Sequence, residues 1–358
     1  MQANNIKWIK YSFGSIILIV LIISIFNYKI DSLSLFGNSN YLSKVAKILV
    51  NGQMVAGLKN YDDRLLQKLI IKNLKIKSDI IVIGSSRTMQ MRQSFFRKKI
   101  NFFNHSVSGA SLEDYIAIVG AYEYIHKYLP STIILGVDPW IFNKYNSQNR
   151  WQTLSKYYNY EIKKIKNKEE IKSFTVNISK WKQLLNYEYT IANIKFFTYL
   201  NKNNGKIFYI TDDIDIDDSI KDCDGSIYYP YKQRYMKVDN TKKYSENNVY
   251  SLERFYKLNN IKLFKIFINY LTYNGVRVIL FLPPYNPASY DIMVSKAKYK
   301  NLVKVEKYLI DFAKKNQVKL IGSYNPHKYN LKINDFFDEM HAHDYVLREI
   351  LKKEYIDR

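Results

Sequence analysis

The sequence predicts an α/β protein: a doubly wound parallel sheet, preceded by a membrane-crossing helix and interrupted by a large insertion. Three observations lead there. Short runs of continuously apolar, β-branched residues recur, as in "DIIVIG", Asp79 to Gly84, and "STIILGVDPW", Ser131 to Trp140. A strand covered on both faces reads this way. Amphipathic stretches of helical period fall between these runs, and strands alternating with helices build parallel crossovers. Near the start lies one apolar stretch long enough to cross a bilayer. The chain has 358 residues and is 47% hydrophobic, which suffices for a sizeable core and excludes global disorder.

Taken in order, the first element is the apolar one. Tyr11 to Tyr28 contains no charged residue and is dominated by "SIILIVLIISIF". Lys7 and Lys10 precede it and no acidic residue does. The positive-inside rule then keeps residues 1–10 in the cytoplasm and exports the rest, giving a single-pass anchor over 11–28 and an extracytoplasmic body. A cleaved signal peptide is the rival. Ser32 and Ser34 offer only a poor small-x-small site, and the apolar run exceeds a usual signal-peptide core. Residues 29–60, with Gly37, Asn38, Ser39, Asn40 and Gly52, read as a linker, and the domain proper is expected from 61 to 358.

Within it, "YDDRLLQKLIIKNLKI" is an amphipathic helix with apolar Leu65, Leu66, Leu69, Ile70 and Leu74. "DIIVIG" is the first buried strand, and "RTMQMRQSFFRKK" reads as the helix after it. "INFFNHSV" is a second strand, and Ser111 to Leu129 a long helix opened by a capping box of Ser111 and Asp114. "STIILGVDPW" is the third strand. "GVRVILFLPP" and "VKLIGS" supply two more, flanked by helices over about 251–273 and 291–315. "LPPYNP", Leu282 to Pro287, is expected to form a rigid rim of the cleft.

Residues 144–250 are too long for a plain crossover and form an insertion rich in Lys and Tyr, with Trp151 and Trp181. In "CDGSIYYPYKQRY" a turn at Asp224, Gly225 and Ser226 precedes tyrosines, Lys232 and Arg234. Aromatic rings beside cations suit a sugar or acidic glycan, with Lys232 and Arg234 as substrate contacts. An insertion with its own small aromatic core explains the same composition.

The net charge of +23 favours an anionic partner such as phospholipid or an acidic polymer. A coding bias toward Lys, Ile, Asn and Tyr accounts for it more simply, since the lysines are spread out. An exported body argues against nucleic acid. The single cysteine, Cys223, rules out an intramolecular disulfide.

The chemistry centres on Gly84-Ser85-Ser86. In open α/β sheets the reactive crevice lies at the carboxyl ends of the strands, where this junction falls. A serine at the start of a following helix would face backbone N–H groups and the positive end of the dipole. An ordinary N-cap serine fits the same position. Far downstream, "NDFFDEMHAHDY" places Asp338 three residues before His341. At that spacing the carboxylate can hold one imidazole nitrogen and leave the other to take a serine proton. Between these lie "NHSVSGAS", with Asn104 and Gly109, and "GVDP", Gly136 to Pro139. His343, Glu339 and Asp344 are close to His341, but no further ligand cluster accompanies them, so neither metal nor cofactor is expected. His105 and His126 read as structural, and His327 has no visible partner.

In these blocks the chain resembles the SGNH/GDSL hydrolase superfamily. The family's Gly-Asp-Ser, Asn-x-Gly-x-x-Gly, Gly-x-Asn-Asp and Asp-x-x-His blocks correspond to Gly84-Ser85-Ser86, Asn104 to Gly109, Gly136 to Pro139 and Asp338 to His341. The resemblance implies a three-layer, flavodoxin-like sheet. It implies Ser86 as nucleophile, His341 as base and Asp338 as its orienter, with the N–H groups of Ser86 and Gly109 as oxyanion donors. Ser85 stands where the family usually has Asp, as in membrane-anchored relatives that serve teichoic-acid D-alanylation. Asp138 stands where an Asn normally donates to the oxyanion, and a carboxylate there repels the intermediate unless it is protonated or turned away. Anchored relatives of exopolysaccharide acetylation typically work beside a membrane protein that exports the acyl group. Two classes follow: an extracytoplasmic serine esterase or O-acetyltransferase acting on a cell-surface glycan, or a glycan-binding or assembly factor that keeps the fold without the chemistry.

Overall fold

The computed structural model describes residues 2–32, 36, 41–59, 61–96, 100–166, 179–202, 205–235 and 249–356. In chain order the strands are β1 (Val55–Ala56), β2 (Ile80–Ile83), β3 (Phe102–Asn104), β4 (Thr132–Gly136), β5 (Tyr209–Ile210), β6 (Ile220–Lys221), β7 (Ile227–Tyr228), β8 (Arg277–Leu282) and β9 (Lys319–Gly322). The five apolar runs become one parallel five-stranded sheet in the order β3-β2-β4-β8-β9. The β2 residues are buried on both faces, as a continuous apolar run requires. Ile81 and Ile83 pack with Leu135 and Leu280 on one side, while Ile80 and Val82 pack with Ile134, Ile279 and Phe281 on the other. The chain enters at β2, steps outward to β3, then returns past β2 to β4. That reversal opens a crevice beyond the carboxyl ends of β2 and β4. Ser86 follows β2 and Asp138 follows β4, so both border it.

Apart from the one expected directly after β2, the helices named from sequence are present with shifted ends. Helix α1 (Gln2–Ile30) contains the apolar span, and its segment Lys7–Ile30 is long and apolar enough to cross a membrane. The stretch read as a linker contains helix α2 (Tyr41–Val50), which buries Leu42, Val45, Ala46 and Leu49. It shares a core with Leu66 and Ile70 of helix α3 (Asp63–Asn73). The stretch read as a linker thus holds a packed helix, whose short apolar period was hidden behind the Gly/Asn-rich stretch. Gly37, Asn38, Ser39, Asn40, Ser34 and Asn60 lie outside the described residues. Helix α4 (Leu112–His126) has the expected capping box, with Ser111 Oγ accepting from Asp114 N–H and the Asp114 carboxylate accepting from Ser111 N–H. The helix expected from 251 begins only at Ile261, and that expected over 291–315 is two, Pro287–Ser295 and Asn301–Lys315.

The insertion is not a separate appendage. Its helix α5 (Ser155–Lys166) lies against α4 across Gly120, where a Cβ would stand 2.4 Å from the Tyr157 carbonyl. Its strands β5 and β6 pair antiparallel with β1, and β7 extends this second sheet toward the crevice. Residues 167–178, 203–204 and 236–248 of the insertion lie outside the described residues.

Candidate active site

The turn that carries Ser86 is shaped by close packing. A Cβ on Gly84 would stand 2.3 Å from Thr88 Oγ1, and one on Gly136 2.4 Å from Thr88 Cγ2. Only glycine at both strand ends lets Thr88 fold back over them. The chain then continues in turns rather than the expected α-helix. Thr88 N–H donates to Ser85 O at 3.0 Å, and Met91 N–H to Thr88 O at 3.0 Å. The Asn104 amide donates to the Thr88 and Met91 carbonyls at 2.9 and 2.8 Å. These tertiary bonds outweigh the helical propensity of "RTMQM", so no helix dipole points at Ser86. Asn104 is thus a brace for the serine turn.

Ser86 is the partly exposed member of the serine pair, and Ser85 is fully buried. The Ser85 hydroxyl accepts the Arg87 N–H at 3.2 Å. Ser86 Oγ lies 2.8 Å from His341 Nε2, and His341 Nδ1 lies 2.7 Å from Asp338 Oδ2. An ionised carboxylate only accepts, so Nδ1 carries the proton and Nε2 is free to accept from Ser86. Asp338 Oδ1 accepts the N–H groups of Met340 and His341 at 2.9 and 2.7 Å, which fixes the carboxylate in the imidazole plane's reach. The imidazole also stacks on Phe337, with ring centroids 5.6 Å apart and planes at 7°. The loop is pinched shut by the Phe336–Ala342 bridge and by Phe337 N–H donating to His341 O at 3.1 Å. The "LPPYNP" segment is a buried support rather than a rim: Asn286 Nδ2 donates to the Asp338 carbonyl at 3.3 Å.

Burial pushes the Asp338 carboxyl up, but the hydrogen bond and charge of His341, with the two backbone donors, outweigh it and hold the pKa below the usual value. A group depressed in the folded state contributes stability that is present above its unfolded pKa of about 3.9 and lost as pH falls through the folded value. Asp338→Asn is therefore expected to lower the melting temperature at pH 7, with the gap from wild type closing in acid below about pH 3.9. Thermal unfolding at both pH values checks this, and an equal gap at both would contradict it.

Arg87 was not singled out from sequence, yet it organises the site. Its guanidinium is 1% exposed and Asp138 is fully buried, with Nη1 to Oδ1 at 2.8 Å. Nε donates to Met340 O at 3.1 Å, and Nη2 to Pro283 O at 2.6 Å. The group lies 3.8 Å from the centroid of the Tyr285 ring. Gln90 Nε2 donates to Ala342 O at 2.7 Å. Arg87 and Gln90 thus hold the peptide on either side of His341 from the serine turn itself. Asp138 is the counter-ion of Arg87; burial pushes its pKa up, and the Arg87 charge opposes that. Oδ1 of its carboxylate is engaged by this pair, while Oδ2 is buried without a hydrogen-bond partner.

On the other side of Ser86, Val107 N–H donates to Gly84 O at 2.9 Å and brings the Asn104–Gly109 loop alongside the turn. Gly109 adopts φ +53, and a Cβ there would lie 2.6 Å from Arg150 Nη2. Buried Arg64, paired with Asp114 and Asp63, donates to Ser108 O at 3.0 Å, and Gln148 Nε2 donates to Gly109 O at 3.0 Å. The N–H groups of Ser86 and Gly109 make no hydrogen bond among the described residues.

Tyr229, also missed in the sequence, comes from the insertion. Its hydroxyl donates to Ser86 O at 3.4 Å, and its ring lies 4.8 Å from Phe337 and 6.1 Å from His341. Lys232 and Arg234 are engaged elsewhere. Lys232 pairs with Asp217 at 2.8 Å, and Arg234 pairs with Asp215 at 3.1 Å while donating to Tyr229 O at 3.0 Å. Arg234 thereby steadies Tyr229. Trp151 packs on Tyr158 and Trp181 on Phe36.

The remaining histidines fall outside the serine line. His343 precedes the last α-helix and rings with Phe337 and Tyr345. His105 is buried between Gln67 Oε1 and the Tyr122 hydroxyl at 2.7 and 2.6 Å, and burial lowers its pKa to about 3. His126 Nε2 donates to Ile71 O at 2.6 Å. His327, which lacked a visible partner in the sequence, pairs with Asp291 at 2.7 Å. Burial and the neighbouring Asp222 push the Cys223 thiol up to about 12. Among the described residues no group of three or more metal-ligating side chains converges.

No protein-family model, curated protein or solved structure matches the chain. The functional reading therefore rests on the site.

Proposed function

We propose that this protein is a membrane-anchored, extracytoplasmic serine esterase or O-acyltransferase of SGNH type, acting on a cell-surface polysaccharide. One observation carries the reading. Ser86, His341 and Asp338 form an unbroken hydrogen-bonded line of 2.8 and 2.7 Å, joining side chains 255 residues apart at the crevice. In the proposed route Ser86 Oγ attacks the acyl carbonyl while His341 Nε2 takes its proton. Asp338 steadies the imidazolium, and the Ser86 and Gly109 N–H groups receive the oxyanion. The alkoxide leaves with the proton from His341, giving an acyl-serine. Water or a sugar hydroxyl then attacks, with His341 again taking the proton, and Ser86 is released. The route calls on no cofactor.

Support for the finer fold, a three-layer SGNH sheet, is the strand order together with a serine after its first strand. Support for the orientation is Lys7 and Lys10 before an uncharged span, which favours a cytoplasmic N-terminus. A membrane protein that exports the acyl group is the partner such an enzyme would use. The second reading, a non-catalytic glycan-binding or assembly factor, is favoured by Asp138 standing where an amide donor is expected.

A membrane-impermeant, serine-directed phosphonate separates these readings in one experiment. Labelling of Ser86 in intact spheroplasts and in lysed membranes alike is the expected result. Labelling only after lysis would reverse the topology and end the polysaccharide reading. Absence of labelling in both would favour the binding factor.

A further inference from the structure

The insertion carries an apolar face at the level where α1 ends. We propose that the segment Ser179–Lys202 lies in the phospholipid interface beside the anchor, as a second membrane contact that fixes how the body sits on the bilayer. This rests on the membrane-anchored part of the proposed function and not on its serine chemistry.

The depth is set by α1 itself. It is uncharged from Tyr11 to Tyr28, a rise of about 26 Å at 1.5 Å per residue, close to the ~30 Å of a hydrocarbon core. Phe26 thus lies about 4.5 Å before the first charge, Lys29. The Phe197 ring meets Phe26 edge-on at 6.1 Å. Phe197 therefore stands at the boundary between acyl chains and head groups.

A rigid polar clasp holds this arrangement. Asn27 is fully buried and donates through Nδ2 to Leu184 O and Thr190 Oγ1, both at 2.8 Å. Asn193, also fully buried, donates to Asn27 Oδ1 at 2.9 Å and accepts the Ser32 N–H at 2.9 Å. The Tyr189 hydroxyl donates to Asp31 Oδ1 at 2.8 Å. Such bonds, shielded from water, resist a hinge between anchor and insertion.

What the clasp presents outward includes a group of large apolar side chains. In the helix Tyr187–Lys202 the buried face is Tyr189, Asn193 and Phe196. Tyr187, Ile194 and Phe197, spaced by seven and three, share a different face and are 78%, 45% and 43% exposed. Just before it, Leu185 is 58% exposed and Trp181 55% exposed. Trp181 reaches Tyr28 of α1 through Phe36, at 5.3 Å for each ring pair. Trp and Tyr favour this depth because an apolar body meets a polar tip there. Exposed Lys182 and Lys195 flank the patch and suit anionic head groups, with exposed Glu188 the acidic neighbour of Tyr187 on the same flank. The occupant argued for is the bilayer that α1 crosses, because the patch is continuous with α1's own apolar surface.

The test uses the full chain, with Cys223→Ser, reconstituted in vesicles of phosphatidylcholine and phosphatidylglycerol. A fluorophore is placed at Leu185→Cys, Ile194→Cys, Val20→Cys or Tyr273→Cys, and spin-labelled lipids quench it at shallow or deep positions. Tyr273 is 91% exposed. Expected is quenching of Leu185 and Ile194 by shallow labels, at least about twofold above Tyr273, with Val20 quenched by deep labels. Leu185 and Ile194 reading like Tyr273 while Val20 is quenched would overturn the proposal. An unquenched Val20 would overturn it too, by removing the anchor. Phosphonate labelling of Ser86 in the same vesicles reports the serine chemistry separately.

Discussion

Replacing Ser86 by alanine is expected to remove ester cleavage by on the order of 10⁴- to 10⁶-fold and to abolish phosphonate labelling, without unfolding the body. The Ser86 hydroxyl has one described hydrogen-bond partner, His341, and the residue is partly exposed. Its loss costs the proposed nucleophile and little packing. Ser85 provides the contrast. It is fully buried and its oxygen accepts the Arg87 N–H. Ser85→Ala should retain labelling while losing about 1 kcal/mol of stability. His341→Ala should be nearly as damaging as Ser86→Ala, and the double variant no worse than either, since such groups act as a unit. His343→Ala should be mild. Activity rates and the mass of the labelled peptide decide the matter: label on Ser85, or full activity without Ser86, would sink the assignment.

How much of this could be read from the chain differs by element. The sheet was legible because its strands are buried on both faces, so "DIIVIG" and "GVRVILFLPP" carry their burial as composition. The Ser86–His341–Asp338 line was legible because the Asp–His spacing of three is local, leaving only the serine to be supplied by the fold. The turn after Ser86 was not. Its carbonyls are taken by Asn104, a bond that no local pattern announces. The folded helix at Tyr41–Val50 was missed beside a loop-like composition, although Leu42, Val45 and Leu49 do show a helical period. Lys232 and Arg234 look from sequence like substrate contacts; their ion pairs with Asp217 and Asp215, residues too far back to suggest pairing, were not legible. Arg87 was hidden most fully. In a chain of net charge +23 another arginine reads as surface, and its partners Asp138, Pro283 and Met340 come from three distant segments.

That pair yields the other large effect. A carboxylate at Asp138 looked like a defect that an amide would repair, in which case Asp138→Asn would raise the rate by up to roughly 10²- to 10³-fold. The geometry leads to the opposite result. Asn keeps an oxygen for Arg87 Nη1 but removes the charge that neutralises a guanidinium only 1% exposed. Breaking one side of a buried pair costs about 3–5 kcal/mol, since the remaining charge is uncompensated. Arg87 would relax toward water and release the Met340 carbonyl, which directly precedes His341. Asp138→Asn and Arg87→Met should therefore each lower both the urea midpoint and the rate of Ser86 labelling. The double variant separates stability from function. With both charges gone the desolvation cost is gone as well, so much of the stability should return. Labelling should stay slow, because neither side chain now holds the His341 loop to the serine turn. Labelling restored along with stability would show that Arg87 acts only on folding, and a faster Asp138→Asn would return Asp138 to the oxyanion site.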